Sequence, residues 1–101
     1  MVLEACREGV KLVDRVESRD RNLADQLRRA MQSVGLQFAE GCAAVGGNRR
    51  AKLLGARAEA NEVLMGLELA VIFGHLEASD VAGATVRFER VARTLYAIGR
   101  R

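Results

Sequence analysis

The chain has 101 residues, half of them apolar and 29% charged, with no proline, no tryptophan, two cysteines and a formal net charge of +3. That length fits one domain spanning residues 1–101, and charged residues interrupt every apolar run before it reaches the ~18 residues of a membrane span. Ala, Leu, Arg and Glu dominate, which is a helical composition, and the acids and bases alternating through the first turns speak against a secretory or transit peptide and for a cytoplasmic protein.

The first helix is expected over residues 2 to about 17. Leu3, Cys6, Val10 and Val13, widened by Ala5, Leu12 and Val16, form its apolar side. Glu4, Arg7, Glu8, Lys11, Asp14 and Arg15 form a mixed-sign face suited to water and local ion pairs. Ser18 to Asn22 interrupts the pattern, with Asp20 or Asn22 as cap of the second helix. So short a connection predicts that the two helices are antiparallel neighbours. The second helix is expected over Asn22 to Val45, about 36 Å long at the usual rise. Leu23, Leu27, Ala30, Met31, Val34, Phe38, Gly41, Cys42 and Val45 recur in steps of three and four, while Leu36 stands on the opposite face. Cys6 and Cys42 lie on these apolar stripes and match no metal-ligand spacing, which predicts buried free thiols.

Gly46 to Arg50 is the second break, with glycines suited to a helix end and Asn48 as the next cap. Arg49, Arg50 and Lys52 crowd the first turn of the third helix, where the helix dipole disfavours cations. That cluster reads either as a tolerated surface turn or as a seat for phosphate. The third helix, about Arg49 to Leu76, carries two apolar sides. Leu53, Ala56, Ala60, Val63, Leu67, Ala70 and Gly74 follow the spacing of a bundle seam. Leu54, Met65, Leu69, Ile72 and Leu76 lie on nearly the opposite face and, with Leu36, suggest an interface between copies of the chain. The alternative is a central helix in an irregular monomer. After a third break at Glu77 to Asp80, with Ser79 or Asp80 as cap, the last helix buries Val81, Ala84, Phe88, Val91, Ala92, Leu95 and Ile98. Arg87, Arg90, Arg93, Arg100 and Arg101 fall on its other arc, opposed only by Glu89. Together these elements predict an all-α, antiparallel, up-and-down four-helix bundle.

No reaction centre emerges. The single histidine, His75, lacks the Glu-x-x-His partner that a di-iron bundle needs, and Glu59 and Glu62, on one helix face, are read as ion-pairing rather than metal-binding. Neither cysteine has a visible base and no phosphate-binding Gly-x-x-x-x-Gly-Lys loop exists. The expectation is a non-enzymatic protein without cofactor or metal. Of 16 basic residues only Lys11 and Lys52 are lysines, and arginine matches phosphate forks better. The candidate phosphate-binding residues are Arg28, Arg29, Arg49, Arg50 and Lys52 in one cluster and Arg87, Arg90 and Arg93 in another, holding RNA or DNA without base specificity. A charge of +3 is weak for one chain, but copies in an assembly would multiply it. The competing reading is a protein-interaction adaptor that uses the second apolar side of the third helix. Charge placement separates the two: arginines converging on one rim favour nucleic acid, and arginines paired with Glu59, Glu62 and Glu68 favour the adaptor.

Leu23-Ala-Asp-Gln-Leu-Arg-Arg-Ala30 followed by Ser33-Val-Gly-Leu-Gln-Phe-Ala-Glu-Gly41 resembles the L-x-x-Q-L-R-R-A…S-I-P-x-N-I-A-E-G signature of the 23S rRNA intervening-sequence proteins, which are small four-helix bundles. Glu62 to Leu76 is similar to their E-L-E-T-Q-L-x-L-A-x-x-L-G-Y-L segment, and Val91 to Leu95 to their last helix. The resemblance covers Leu23 to the C-terminus, the first helix agreeing by pattern alone. Gly35 stands in place of the family's proline, Gln37 of its asparagine and Leu64 of its second glutamate, so the second helix is expected to lack a proline kink. The resemblance implies a homo-oligomer, often a pentameric ring. Through the related accessory variability proteins of diversity-generating retroelements, it implies contact with RNA and with a nucleic-acid enzyme such as a reverse transcriptase.

Overall fold

The computed structural model describes residues 1–101. Four helices fill it, with no strand: α1 (Val2–Glu17), α2 (Arg21–Ala43), α3 (Gly46–Ile72) and α4 (Ala78–Gly99). The molecule measures 43 × 21 × 19 Å, close to the length of its longest helix plus a cap at each end. α3 packs most extensively, on α2 and α4, and α1 closes the bundle against the other sides of those two helices. Residue numbers fall along one helix as they rise along its neighbour. Leu27 meets Gly66 and Gly41 meets Leu53 between α2 and α3, Leu54 meets Gly99 and Arg57 meets Tyr96 between α3 and α4, and Glu8 meets Arg87 and Arg15 meets Asp80 between α1 and α4.

The core is a single cluster in which Phe88, Leu27, Leu53, Leu67 and Leu95 are the largest fully buried side chains. The expected stripe of α3 lies inside from Leu53 to Ala70, and that of α4 from Val81 to Leu95. In α1 the stripe is turned from the expected position. Val2, Ala5, Gly9, Leu12, Val13 and Val16 face inward, whereas Leu3 and Val10 are exposed. Small residues are drawn inside because Met31 and Phe88 already fill the space over Gly9, where an added Cβ would sit 2.6 Å from Met31 Cε. α2 runs without interruption past Gly35, as the missing proline predicts, but ends at Ala43, which leaves Val45 beyond the helix and exposed; Cys42, in its last turn, is exposed rather than buried as well. Cys6 is half-buried and its Sγ donates to the Met31 carbonyl at 3.8 Å.

The caps differ in part from expectation. Asp20 caps α2, its Oδ1 accepting from the Leu23 amide at 3.0 Å. α3 starts at Gly46, whose φ of +61° only glycine adopts readily, and takes Val45 rather than Asn48 as N-cap. α4 is capped by Glu77, with Asp80 as the reciprocal partner of a capping box, its Oδ2 accepting from the Glu77 amide at 2.8 Å. α3 stops at Ile72, and Gly74, at φ +77°, turns the chain so that the amides of His75 and Leu76 both donate to the Ala70 carbonyl. This turn corrects the reading of Leu76. It leaves the helix there, and its side chain folds into the bundle's own core at 5% exposure instead of extending the outer apolar face.

Candidate nucleic-acid interface

α4 presents two seams, one with α1 and one with α3, and the predicted phosphate-binding residues divide between them. Successive residues three apart on a helix drift by about 60° around its axis, so Arg87, Arg90 and Arg93 do not all face the same neighbour. Arg87 turns to α1, where its Nε donates to Glu8 and its Nη1 to Glu4 at 3.2 Å. Arg90 lines the same groove beside Glu4 and Glu8. Arg93 turns to α3 and lines a groove with Arg57, Asn61 and Tyr96.

The first predicted cluster also separates. Arg28 lies near the α1–α2 connection, held by Glu17, by Asp14 at 3.2 Å and by Asp25 at 3.7 Å. Glu17 first, then Asp14, raise the Arg28 pKa above the ordinary arginine value. Arg29, one residue on, is exposed and takes part in no ion pair. Arg49, Arg50 and Lys52 stand at the start of α3, at the other end of the bundle. There Arg49 donates to the Ile98 carbonyl at 3.3 Å and Lys52 pairs with Glu40 at 3.0 Å. The acids that neutralise bases therefore come from α1, α2 and the head of α4, and none is Glu59, Glu62 or Glu68. The ion-pairing role expected of Glu59 and Glu62 is not met. Burial and the adjacent Glu62 carboxylate raise the Glu59 pKa, while a hydrogen bond with Ser33 acts the other way.

Bases without a carboxylate partner also include Arg7, Lys11, Arg19, Arg21, Arg29, Arg49, Arg90 and Arg101, but one group of them lines up along two neighbouring helices. Arg50, Leu54, Arg57, Asn61 and Leu64 follow one another at steps of three and four along the outer edge of α3, and Arg93, Tyr96 and Arg100 do the same on α4. The two edges meet across the α3–α4 seam. Arg57 lies 4.5 Å, and Arg100 5.0 Å, from the centre of the Tyr96 ring. None of Arg50, Arg57, Arg93 and Arg100 has a carboxylate partner, and Glu89 at the groove's lower end is itself unpaired. Sequence reasoning missed Tyr96. The available signal was the chain's single tyrosine three residues after one arginine and four before another.

Farther along, the same seam becomes apolar, with Leu64, Met65, Val71, Ile72 and Val86 between Glu68 and Glu89. Met65 and Ile72 are 57% and 72% exposed, and Leu36 on α2 is 65% exposed but lines neither this groove nor the one between α2 and α3. Leu54 and Leu69, predicted with them, are half-buried against their own bundle, Leu54 over Gly99 and Leu69 beside Leu23 and Gln26. No helix is long and apolar enough to cross a membrane, and no group of His, Cys, Asp and Glu side chains is arranged to hold a metal ion.

The description "23S rRNA-intervening sequence protein" belongs to a family whose sequence model matches residues 3–97, the first helix included. The chain belongs to this family. A crystal structure at 1.70 Å of a protein of unknown function from the S23 ribosomal protein family of Bacteroides thetaiotaomicron VPI-5482 is similar to this family member in fold. The TM-score is 0.89, at 21% identity over 99% of this chain and 95% of that one. No curated protein matches the sequence. At that level of identity the likeness extends to the four-helix fold and no further.

Proposed function

We propose that the chain is a non-enzymatic, antiparallel up-and-down bundle that assembles with copies of itself and holds the phosphate backbone of RNA or DNA on the α3–α4 seam. The observation that carries this reading is the run of four guanidinium groups, Arg50, Arg57, Arg93 and Arg100, with no acid paired to any of them. Elsewhere Arg87 of α4 is held by Glu4 and Glu8, and Arg28 of α2 by Asp14 and Glu17. An unpaired guanidinium keeps its full charge and its fork of donors for a ligand, whereas a paired one must first give up a carboxylate. A net charge of +3 gives one chain modest affinity, so self-assembly, in a pentameric ring as the family resemblance suggests, supplies the rest by multiplying the strip. An enzyme that acts on the same nucleic acid, such as a reverse transcriptase, is the partner class this reading favours.

The test is a gel-shift titration of the purified protein against RNA and DNA oligonucleotides at low and high salt. Retardation that weakens steeply with salt is expected, and the pair Arg50→Glu with Arg93→Glu is expected to weaken it by more than about tenfold, two phosphate contacts becoming two repulsions. No retardation at low salt overturns the reading.

A second reading, an interaction module without nucleic acid, rests on the exposed Met65, Ile72, Phe73 and Val86 at the other end of the seam. It predicts that Ile72→Glu lowers the mass measured by light scattering while helicity stays unchanged.

A further inference from the structure

The groove beside Tyr96 carries more than charge. Phosphate binding alone is served by arginines on an open surface, and an aromatic ring adds nothing to it. Here the chain's single tyrosine is set between α3 and α4, 42% exposed, with two guanidinium groups over its ring. The groove it borders has a volume of about 320 Å³ and is lined by Arg57, Asn61, Leu64, Glu89 and Arg93. It therefore has an apolar floor at Leu64, an aromatic wall at Tyr96, cations at the rim, and two side chains, Asn61 and Glu89, that accept hydrogen bonds from N–H groups. Glu89 would repel a phosphate placed in the groove itself. That directs phosphate to the rim and leaves the interior to something flat, uncharged and rich in N–H donors.

We propose that this groove binds an unpaired nucleobase that takes the place of the Arg100 guanidinium on the Tyr96 ring, beside the Arg57 guanidinium, while the displaced Arg100, with Arg93 and Arg50, holds the flanking phosphates. The proposal deepens the nucleic-acid reading above and rests on it. It names single-stranded nucleic acid as the preferred ligand, because a duplex keeps the faces of its bases stacked on one another and offers Tyr96 only its backbone. Arg57 serves both modes, since a guanidinium plane stacks on a base as it does on the ring it now covers. Glu89 and Asn61 favour bases that carry an exocyclic amino group, adenine, cytosine and guanine, over thymine or uracil only weakly, as each offers acceptors that water also satisfies.

The chain carries its own probe. With one tyrosine and no tryptophan, its intrinsic emission comes from Tyr96 alone. The experiment titrates the purified full chain with a labelled single-stranded RNA oligonucleotide and with the same sequence as a hairpin duplex. It follows anisotropy of the label and, corrected for absorbance, tyrosine emission. Single strand is expected to bind more tightly than duplex and to quench Tyr96. Tyr96→Leu is expected to lower single-strand affinity about tenfold and leave duplex affinity within about twofold, the scale of one base stacked on an aromatic ring. Tyr96→Phe, which keeps the ring, is expected to restore single-strand affinity, which separates stacking from any loss of packing. Salt-sensitive binding of both ligands with unquenched emission and no effect of Tyr96→Leu overturns the stacking proposal and leaves phosphate binding standing. No binding of either ligand overturns both.

Discussion

The two seams of α4 use the same residue type to opposite ends. Toward α1, Arg87 is clasped by Glu4 and Glu8, and Arg15 of α1 reaches Asp80 at 3.2 Å, so these two charges are spent within the molecule, while Arg7, Lys11 and Arg90 lie among the same acids without an ion pair. Toward α3, Arg57 and Arg100 lie over an aromatic ring with Arg93 in the same groove, and none of the three is paired with a carboxylate. A count of arginines cannot distinguish these cases. What a base can do for a ligand depends on whether the neighbouring helix has already answered it.

The comparison can be broken outright by removing the frame that holds the seams apart. Phe88 is fully buried between them and touches the space over Gly9, and Phe88→Ala is expected to lower stability by about 3–5 kcal/mol in chemical denaturation, the usual cost of such a truncation. Reversing the unmatched seam comes next. Arg57→Glu is expected to lower affinity for single-stranded RNA by about tenfold at low salt, read by anisotropy, because it removes a cation and places an acid at the ring. Releasing the matched seam is expected to act in the other direction. Glu4→Gln with Glu8→Gln frees Arg87 and should raise affinity about two- to threefold while costing no more than about 1 kcal/mol of stability, as exposed ion pairs do.

The smallest effect concerns pH and the end of the bundle remote from Arg50. Asp20 caps α2 and its Oδ2 lies 3.1 Å from His75 Nε2. The Leu23 amide first, then His75, hold its pKa below the ordinary carboxylate value. Asp80 is lowered likewise, by the Glu77 amide first and then by Arg15. A carboxylate whose pKa falls on folding stabilises the native state above the unfolded value of about 3.9, and that contribution is lost as the pH drops through the lowered folded value. The thermal midpoint is therefore expected to fall on acidification below about pH 4, and Asp20→Asn to shrink that fall. An unchanged acid profile in Asp20→Asn would assign the effect to Asp80 and the remaining acids.

Much of the fold was legible in the sequence because large apolar residues at steps of three and four have only one use in a chain this short. The stripe of α3 from Leu53 to Ala70 lies inside as its spacing implies. α1 misled where size and burial part company, since Leu3 and Val10 are greasier than Ala5 and Gly9 yet lie outside, the inner positions being fixed by how closely Met31 and Phe88 approach. Leu76 misled because helical spacing was carried past Gly74, where the helix has already ended. The site was less legible. Each arginine was visible, but Glu4 and Glu8 lie 83 and 79 residues from Arg87, and nothing local announces which bases they will neutralise. Tyr96 acquires a meaning only when Arg57 arrives from another helix.

The α1–α4 seam also bears on how the chain folds. The other helix pairs are consecutive in sequence, joined by connections of a few residues, and close cheaply. The bonds from Arg15 to Asp80 and from Arg87 to Glu4 join positions 65 and 83 apart, the most expensive loops to close. Docking of the first helix onto the last is therefore expected late in assembly, and contacts made after the barrier act on unfolding, so added salt, which screens these ion pairs, should speed unfolding more than it slows refolding.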